Sequence, residues 1–151
     1  MRRLVKWRMI STLLDIDIAW GGYYASIPED SGEISMFRLL DFNRDAYHAA
    51  LFTDKFSTIP TLSELVELSP FIGHAPVDAR ALVSNDDLRL IGGKPLTHDD
   101  LEGYMYYLNE YGLSKEETDE LVEQIISFSH EPPLSIRLEI VGEELIISER
   151  E

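Results

Sequence analysis

Helical periodicity in the second half of the chain, bounded by strand periodicity toward both ends, most constrains the fold. Thr97 is suited to cap a helix, and after it Leu101, Tyr104, Met105, Leu108 and Tyr111 recur on the i, i+3, i+4, i+7 stripe of a buried face. Gly112 stands where a left-handed residue closes a helix. Ser114-Lys115-Glu116-Glu117 is a capping-box pattern opening a second helix. That helix turns Leu121, Val122, Ile125 and Ile126 inward and ends before Pro132-Pro133.

On either side the period changes to two. Leu14 to Trp20 alternates apolar with polar residues, and Val5, Trp7 and Met9 alternate with Lys6 and Arg8, so two strands are expected there. Gly21-Gly22 allows a bend, and the PEDSG of 28–32 is a turn by composition. Glu33 to Phe42 reads as a strand paired with the one before that turn. Ser135–Val141 and Leu145–Ser148, around Gly142-Glu143, read as a C-terminal hairpin.

The middle is read less directly. Asp41 and Asn43 suit the cap of a helix from about Arg44 to Phe56, with Ala49, Phe52 and Phe56 inward and His48 partly exposed. Thr61-Leu62-Ser63-Glu64 has the capping-box pattern for a short helix to about Leu68, before Pro70. Leu88 to Ile91 suits a small strand. Strands, helices and strands follow one another without β-α-β alternation, which disfavours a parallel sheet. The expected fold is a single α+β domain over 1–151. One antiparallel sheet combines N-terminal strands with the C-terminal hairpin, and four to five helices cover one face.

Composition narrows function. The chain has no cysteine, hence no disulfide, no thiolate nucleophile and no cysteine-based metal site. No apolar run reaches the length of a membrane span, and Asp15 and Asp17 interrupt the apolar stretch behind the basic start. A soluble, cytoplasmic protein is expected. Residues 99–151 hold 15 acidic side chains against 3 basic ones, a balance of −12 within a total of −15. Such a field repels phosphate backbones and anionic lipid and attracts basic proteins, so nucleic acid and membranes are not the expected partners.

The stretch SPFIGHAPVDARAL, 69–82, sets His74 four residues before Asp78, with Arg80 close behind. A small enzyme with a site near these three, joined by His48 or His98 if the fold brings one in, is one alternative. Pro76 suits the first position of a helix over 77–83, however, which would put Asp78 in a first turn where a carboxylate is stabilised. His74 is then expected to face a corner of the chain. His98-Asp99-Asp100 and Glu102 suggest a metal site only weakly, because adjacent helical positions diverge, so no metal or cofactor is expected. IGGKPL at 91–96 lacks the full phosphate-loop pattern and reads as a turn.

No catalytic constellation stands out. The leading expectation is a non-catalytic acidic protein that binds, and inhibits or regulates, a basic protein partner. Its contacts would be Tyr106, Tyr107, Glu110, Glu116, Glu120 and Glu123. Small immunity- and inhibitor-type proteins share such charge, an analogy of composition alone. A structural subunit of a homo-oligomer is the third alternative.

Overall fold

Antiparallel strands make up most of the regular structure, including a segment, β4, where helix was expected. The computed structural model describes residues 12–28, 32–83 and 87–150. In chain order it contains β1 (Thr12–Ile18), β2 (Gly22–Ser26), β3 (Ile34–Phe42), β4 (Ala46–Phe56), α1 (Leu62–Leu65) and β5 (Ile72–Asp78). There follow α2 (Arg80–Val83), β6 (Leu88–Gly93), α3 (Glu102–Glu110), α4 (Lys115–Phe128), β7 (Leu134–Val141) and β8 (Glu144–Glu149). The strand expected around Val5, Trp7 and Met9 lies outside the described residues.

The class is α+β, but the strands form two sheets rather than one. β1, β7 and β8 pair in that order, joining the N-terminal strand to the C-terminal hairpin, with Ile16 opposite Ile136 and Leu14 opposite Leu138. The other five strands are ordered β5-β4-β3-β2-β6, all antiparallel.

The second sheet exists because 44–56 is not a helix. In β4, Tyr47 and Ala49 enter one core layer while His48, Ala50 and Phe52 face the other, and all five are buried. An apolar run covered on both faces lacks the polar side that would reveal its period, so the spacing of Ala49, Phe52 and Phe56 imitates a helix stripe. Residues 72–78 are likewise strand, paired with β4, and Pro76 sits on the sheet's outer strand. A proline is tolerated there because an edge strand leaves one row of amides unpaired. The expected helix over 77–83 shrinks to α2. The IGG of IGGKPL belongs to β6 rather than to a turn.

Three layers result. One face of the five-stranded sheet, carrying Tyr24, Phe37, Leu39, Tyr47 and Ala49, packs on Ile16, Ile18, Ile136 and Leu138 of the three-stranded sheet. α2 adds Leu82 and Val83 to this layer. The opposite face carries the other helices. Leu40 and Ala50 meet Leu101, Tyr104, Leu108, Val122 and Ile125 of the α3–α4 region, while Tyr23, Met36 and Phe52 meet Leu65 of α1.

The helix ends follow local chemistry. Thr97 Oγ1 accepts from Asp100 N at 3.2 Å while Asp100 Oδ2 accepts from Thr97 N at 3.0 Å, capping the turn that leads into α3. Ser114 and Glu117 form the reciprocal capping box of α4, and Gly112 takes φ +102 between the helices. Tyr111, placed on the core stripe by its spacing, is 72% exposed because α3 ends at Glu110 and the chain turns away.

Candidate functional site

Two irregularities in the five-stranded sheet aim polar groups at α3. Leu39 pairs with Ala49 but Asp41 pairs with His48, so β3 carries one extra residue and both Leu40 and Asp41 lie on the helix side. Ala75 pairs with Ala49 but Ile72 with Leu51, leaving an extra residue in β5 around Gly73 and His74. Gly103 of α3 then approaches closely: a Cβ built there would lie 3.1 Å from the Cβ of His74. A side chain at 103 would push the helix off the strand.

Asp41 is 7% exposed and fully engaged. Its Oδ2 accepts from the Tyr104 hydroxyl at 2.7 Å, and its Oδ1 accepts from Trp20 Nε1 at 3.0 Å and from Phe42 N at 2.9 Å. A buried carboxylate needs such donors, since desolvation otherwise drives it to the neutral form. Asp41 is therefore not a helix cap. It ties the N-terminal segment, β3 and α3 together. Burial and the neighbouring carboxylate push the Tyr104 hydroxyl well above its ordinary range.

Beside it lie two imidazoles. His48 is 2% exposed, not partly exposed on a helix, and its Nδ1 is 2.8 Å from His74 Nε2. The Tyr104 ring stacks on both, at centroid distances of 4.4 Å and 4.9 Å. Tyr107 tilts against His74 at 4.6 Å, and Tyr111 against Tyr107 at 4.5 Å. His74 thus faces His48 and α3 rather than a corner. The Asn43 amide nitrogen lies 3.4 Å from His48 Nε2, and the tautomers of the pair follow from its role. If Asn43 donates to Nε2, His48 carries its proton on Nδ1 and donates to His74 Nε2, which leaves the His74 proton on Nδ1. Both rings are neutral in this arrangement. Burial lowers His48 from its ordinary value, and burial followed by repulsion from His48 lowers His74 to about 4.

Farther along the same sheet face, Arg38 is buried and its donors are spoken for. Nε donates to Gly21 O at 3.1 Å and Nη2 to Lys94 O at 2.9 Å, while Nη1 pairs with Asp100 at 3.3 Å. Its guanidinium carbon lies 5.0 Å from the centroid of the Tyr23 ring. Gly21 takes φ +85, and any Cβ there would meet Lys94 O at 2.3 Å, so only glycine allows this contact. The segment 94–100 is thereby pinned to the sheet.

The residues singled out by spacing part company. His74 and Asp78 are four residues apart on an extended strand, a rise of about 13 Å, and no hydrogen bond joins them. Asp78 instead forks with Arg80, accepting from Nη2 at 2.6 Å and from the Arg80 backbone N at 2.9 Å, and these bonds hold its carboxyl at about 2. Arg80 Nη1 donates to Glu143 O at 3.0 Å, at the tip of the C-terminal hairpin. His74, Asp78 and Arg80 do not converge on one cleft. The partner that His74 does meet, His48, is 26 residues away on a strand that had been read as helix.

The tyrosines and acids of the α3–α4 layer are divided as well. Tyr106 is 68% exposed, whereas Tyr107 is half-buried over the histidine pair. Glu110, Glu116, Glu120 and Glu123 are exposed. Glu123 accepts from His98 Nε2 at 2.9 Å, while Glu110, Glu116 and Glu120 have no ion pair among the described residues. His98, Asp99, Glu102, Met105, Tyr106 and Asn109 line a groove of about 330 Å³ along α3.

A second, deeper cleft of about 410 Å³ lies over the helix-side face of the sheet. Its floor includes Leu40, Ala50 and Phe52, the chain after α1 supplies Val66 and Leu68, and Asp99 and Glu102 stand on its α3 side. Among the described residues no group of three or more His, Asp or Glu side chains is arranged to hold a metal ion, and no helix is long and apolar enough to cross a membrane. No protein-family model, curated protein or solved structure matches this chain.

Proposed function

We propose that this chain is a non-catalytic acidic protein that binds a basic protein partner on its α3–α4 face and regulates or inhibits it there. The observation that carries this reading is Tyr106, 68% exposed beside a groove walled by Asp99 and Glu102, within a layer whose other exposed acids are mostly unpaired. An exposed tyrosine offers a large amphipathic contact at low entropic cost, and surrounding carboxylates steer a cationic surface toward it. The −12 balance of residues 99–151 supplies the long-range field. The same field gives no support to nucleic acid as a partner. Tyr107 contributes from beneath, by holding Tyr111 against the outer surface.

The test is affinity capture from native cells at low salt, comparing the unaltered chain with Tyr106→Ala and with the charge reversal Glu120→Lys/Glu123→Lys. A specific basic protein should be retained by the unaltered chain, released at high salt and weakened about tenfold or more by either change. Recovery of no partner, or of one indifferent to both changes, would remove this reading.

A further inference from the structure

The cleft and the groove share a wall. Asp99 and Glu102 line both, so a ridge bearing two carboxylates separates a deep hollow with an apolar floor from a shallower hollow beside Tyr106. Neither carboxylate has an ion pair among the described residues. The two hollows differ in charge. Arg38 and Lys94 line the cleft, Arg38 already bound to Asp100 and Lys94 without an ion pair among the described residues, while no lysine or arginine lines the groove. A ligand cation is therefore favoured on the groove side of the ridge.

Inside the cleft one buried hydroxyl stands without a hydrogen-bond partner among the described residues. Tyr23 is 3% exposed and lines the cleft, and its hydroxyl makes no hydrogen bond to any described residue. That hydroxyl is not a sealed, unsatisfied atom, so the small part of Tyr23 left open includes it. Buried hydroxyls ordinarily find partners, and Tyr23, as a lining residue, is placed to take one from the cleft. Around it lie the apolar side chains of Leu40, Ala50, Phe52, Val66 and Leu68. The site offers an apolar seat, one hydrogen-bonding hydroxyl and, across the ridge, an aromatic face with two carboxylates.

From this we infer that the protein recognises a short extended peptide segment of its partner, with an apolar side chain seated in the cleft and an arginine or lysine on the groove side. The cation pairs with Asp99 and Glu102 and lies against Tyr106, while a peptide group of the segment bonds the Tyr23 hydroxyl. In an extended segment, side chains two residues apart point the same way, so the apolar and basic residues are separated by one. This inference rests on the proposed basic-partner reading and adds the chemistry by which the partner is read.

The probes are acetylated, amidated Leu-Gly-Arg, its Leu-Gly-citrulline counterpart, which keeps the shape without the charge, and Gly-Gly-Arg. Each is titrated against the isotope-labelled full chain by amide chemical shift. Leu-Gly-Arg should saturate, moving amides both at Tyr23 and Leu68 and over Asp99 to Tyr106. Replacing arginine by citrulline, leucine by glycine, or Glu102 by Gln should each weaken it about tenfold. Tyr23→Phe, which removes only the hydroxyl, should weaken it about threefold with the spectrum otherwise retained. Failure of Leu-Gly-Arg to saturate, equal binding of the citrulline peptide, or shifts confined elsewhere would overturn the inference. Capture of a basic partner that Tyr106→Ala weakens, by a chain that ignores the peptide, would overturn this inference alone. Loss of both would remove the underlying reading.

Discussion

The two faces of the five-stranded sheet are built on different physics. Toward the three-stranded sheet it presents Tyr24, Phe37, Leu39, Tyr47 and Ala49, with Tyr24 stacked on Phe37 at 5.2 Å and Phe37 tilted on Tyr47 at 5.3 Å. Toward the helices it presents Arg38, Asp41 and His48, all buried. The first layer is held by apolar area and shape, which tolerate exchanges that conserve volume. The second adds directional bonds to its apolar contacts, and each bond fixes one neighbour in one place. Asp41 locates Tyr104, Arg38 locates the segment at Lys94, and His48 locates His74. The apolar layer secures the fold, and the polar layer sets where α3 and its ridge of carboxylates stand.

That contrast can be broken most forcefully at Asp41. Asp41→Ala strands the Tyr104 hydroxyl and Trp20 Nε1 and should cost about 3–5 kcal/mol by urea unfolding. Leu138→Ala in the apolar layer belongs to the same range, about 2–5 kcal/mol. The layers separate on change that keeps the side chain's branching or size: Leu138→Met should cost under about 1.5 kcal/mol, whereas Asp41→Leu, which keeps the branching but is larger and cannot accept a hydrogen bond, should cost at least as much as Asp41→Ala. Equal tolerance at both sites would mean that the polar bonds do not position α3.

Gly103→Leu tests the fit itself. The new side chain meets His74 and should destabilise by about 1–3 kcal/mol, with the changed chemical shifts centred on α3 and β5 rather than on the sheet-to-sheet layer. Shifts spread evenly through both layers would contradict this.

A smaller effect is expected from acid. His48 and His74 are both lowered, His74 from 6.5 to about 4. Between those values the unfolded chain binds a proton that the folded chain excludes. Stability from the neutral pair is therefore complete above pH 6.5 and is lost as the pH falls toward 4. Allowing for the partial exposure of His74, the loss is about 1–2 kcal/mol. The carboxylates titrate near the lower end, so the measurement is the difference between the unaltered chain and His74→Gln. Its stability should fall less steeply across that window, and parallel curves would show that the pair adds nothing. Least of all, Glu120→Lys should shift stability within about 0.5 kcal/mol, because it touches neither layer.

What was legible in the sequence follows the same division. The capping boxes at Thr61 and Ser114, the left-handed Gly112 and the C-terminal hairpin are local signals, set by chemistry within a few residues. β4 was illegible because burial on both faces erases the alternation that marks a strand. His48 went with it, and so did the histidine pair, whose members meet only through the β4–β5 pairing. Asp41 looked like a cap because nothing local announces that Tyr104, 63 residues away, will donate to it. The exposed Tyr106 was legible, since it falls off the stripe that buries Tyr104 and Leu108. The cleft was not, because its walls come from β2, β3, β4, the chain after α1 and the approach to α3.

The pairing of β1 with β7 has a consequence for the order in which the chain folds. Asp15 meets Arg137 across 122 residues, and Thr12 to Ile18 find their register only with Leu134 to Ile140. Contacts so distant in sequence form slowly, because the entropy of closing a large loop must be met before they add stability. Until they form, the aromatic face of the five-stranded sheet lacks its cover. On the ribosome that interval lasts until the C-terminal hairpin has emerged. During it, Tyr24, Phe37 and Tyr47 form an adhesive surface that another chain could occupy.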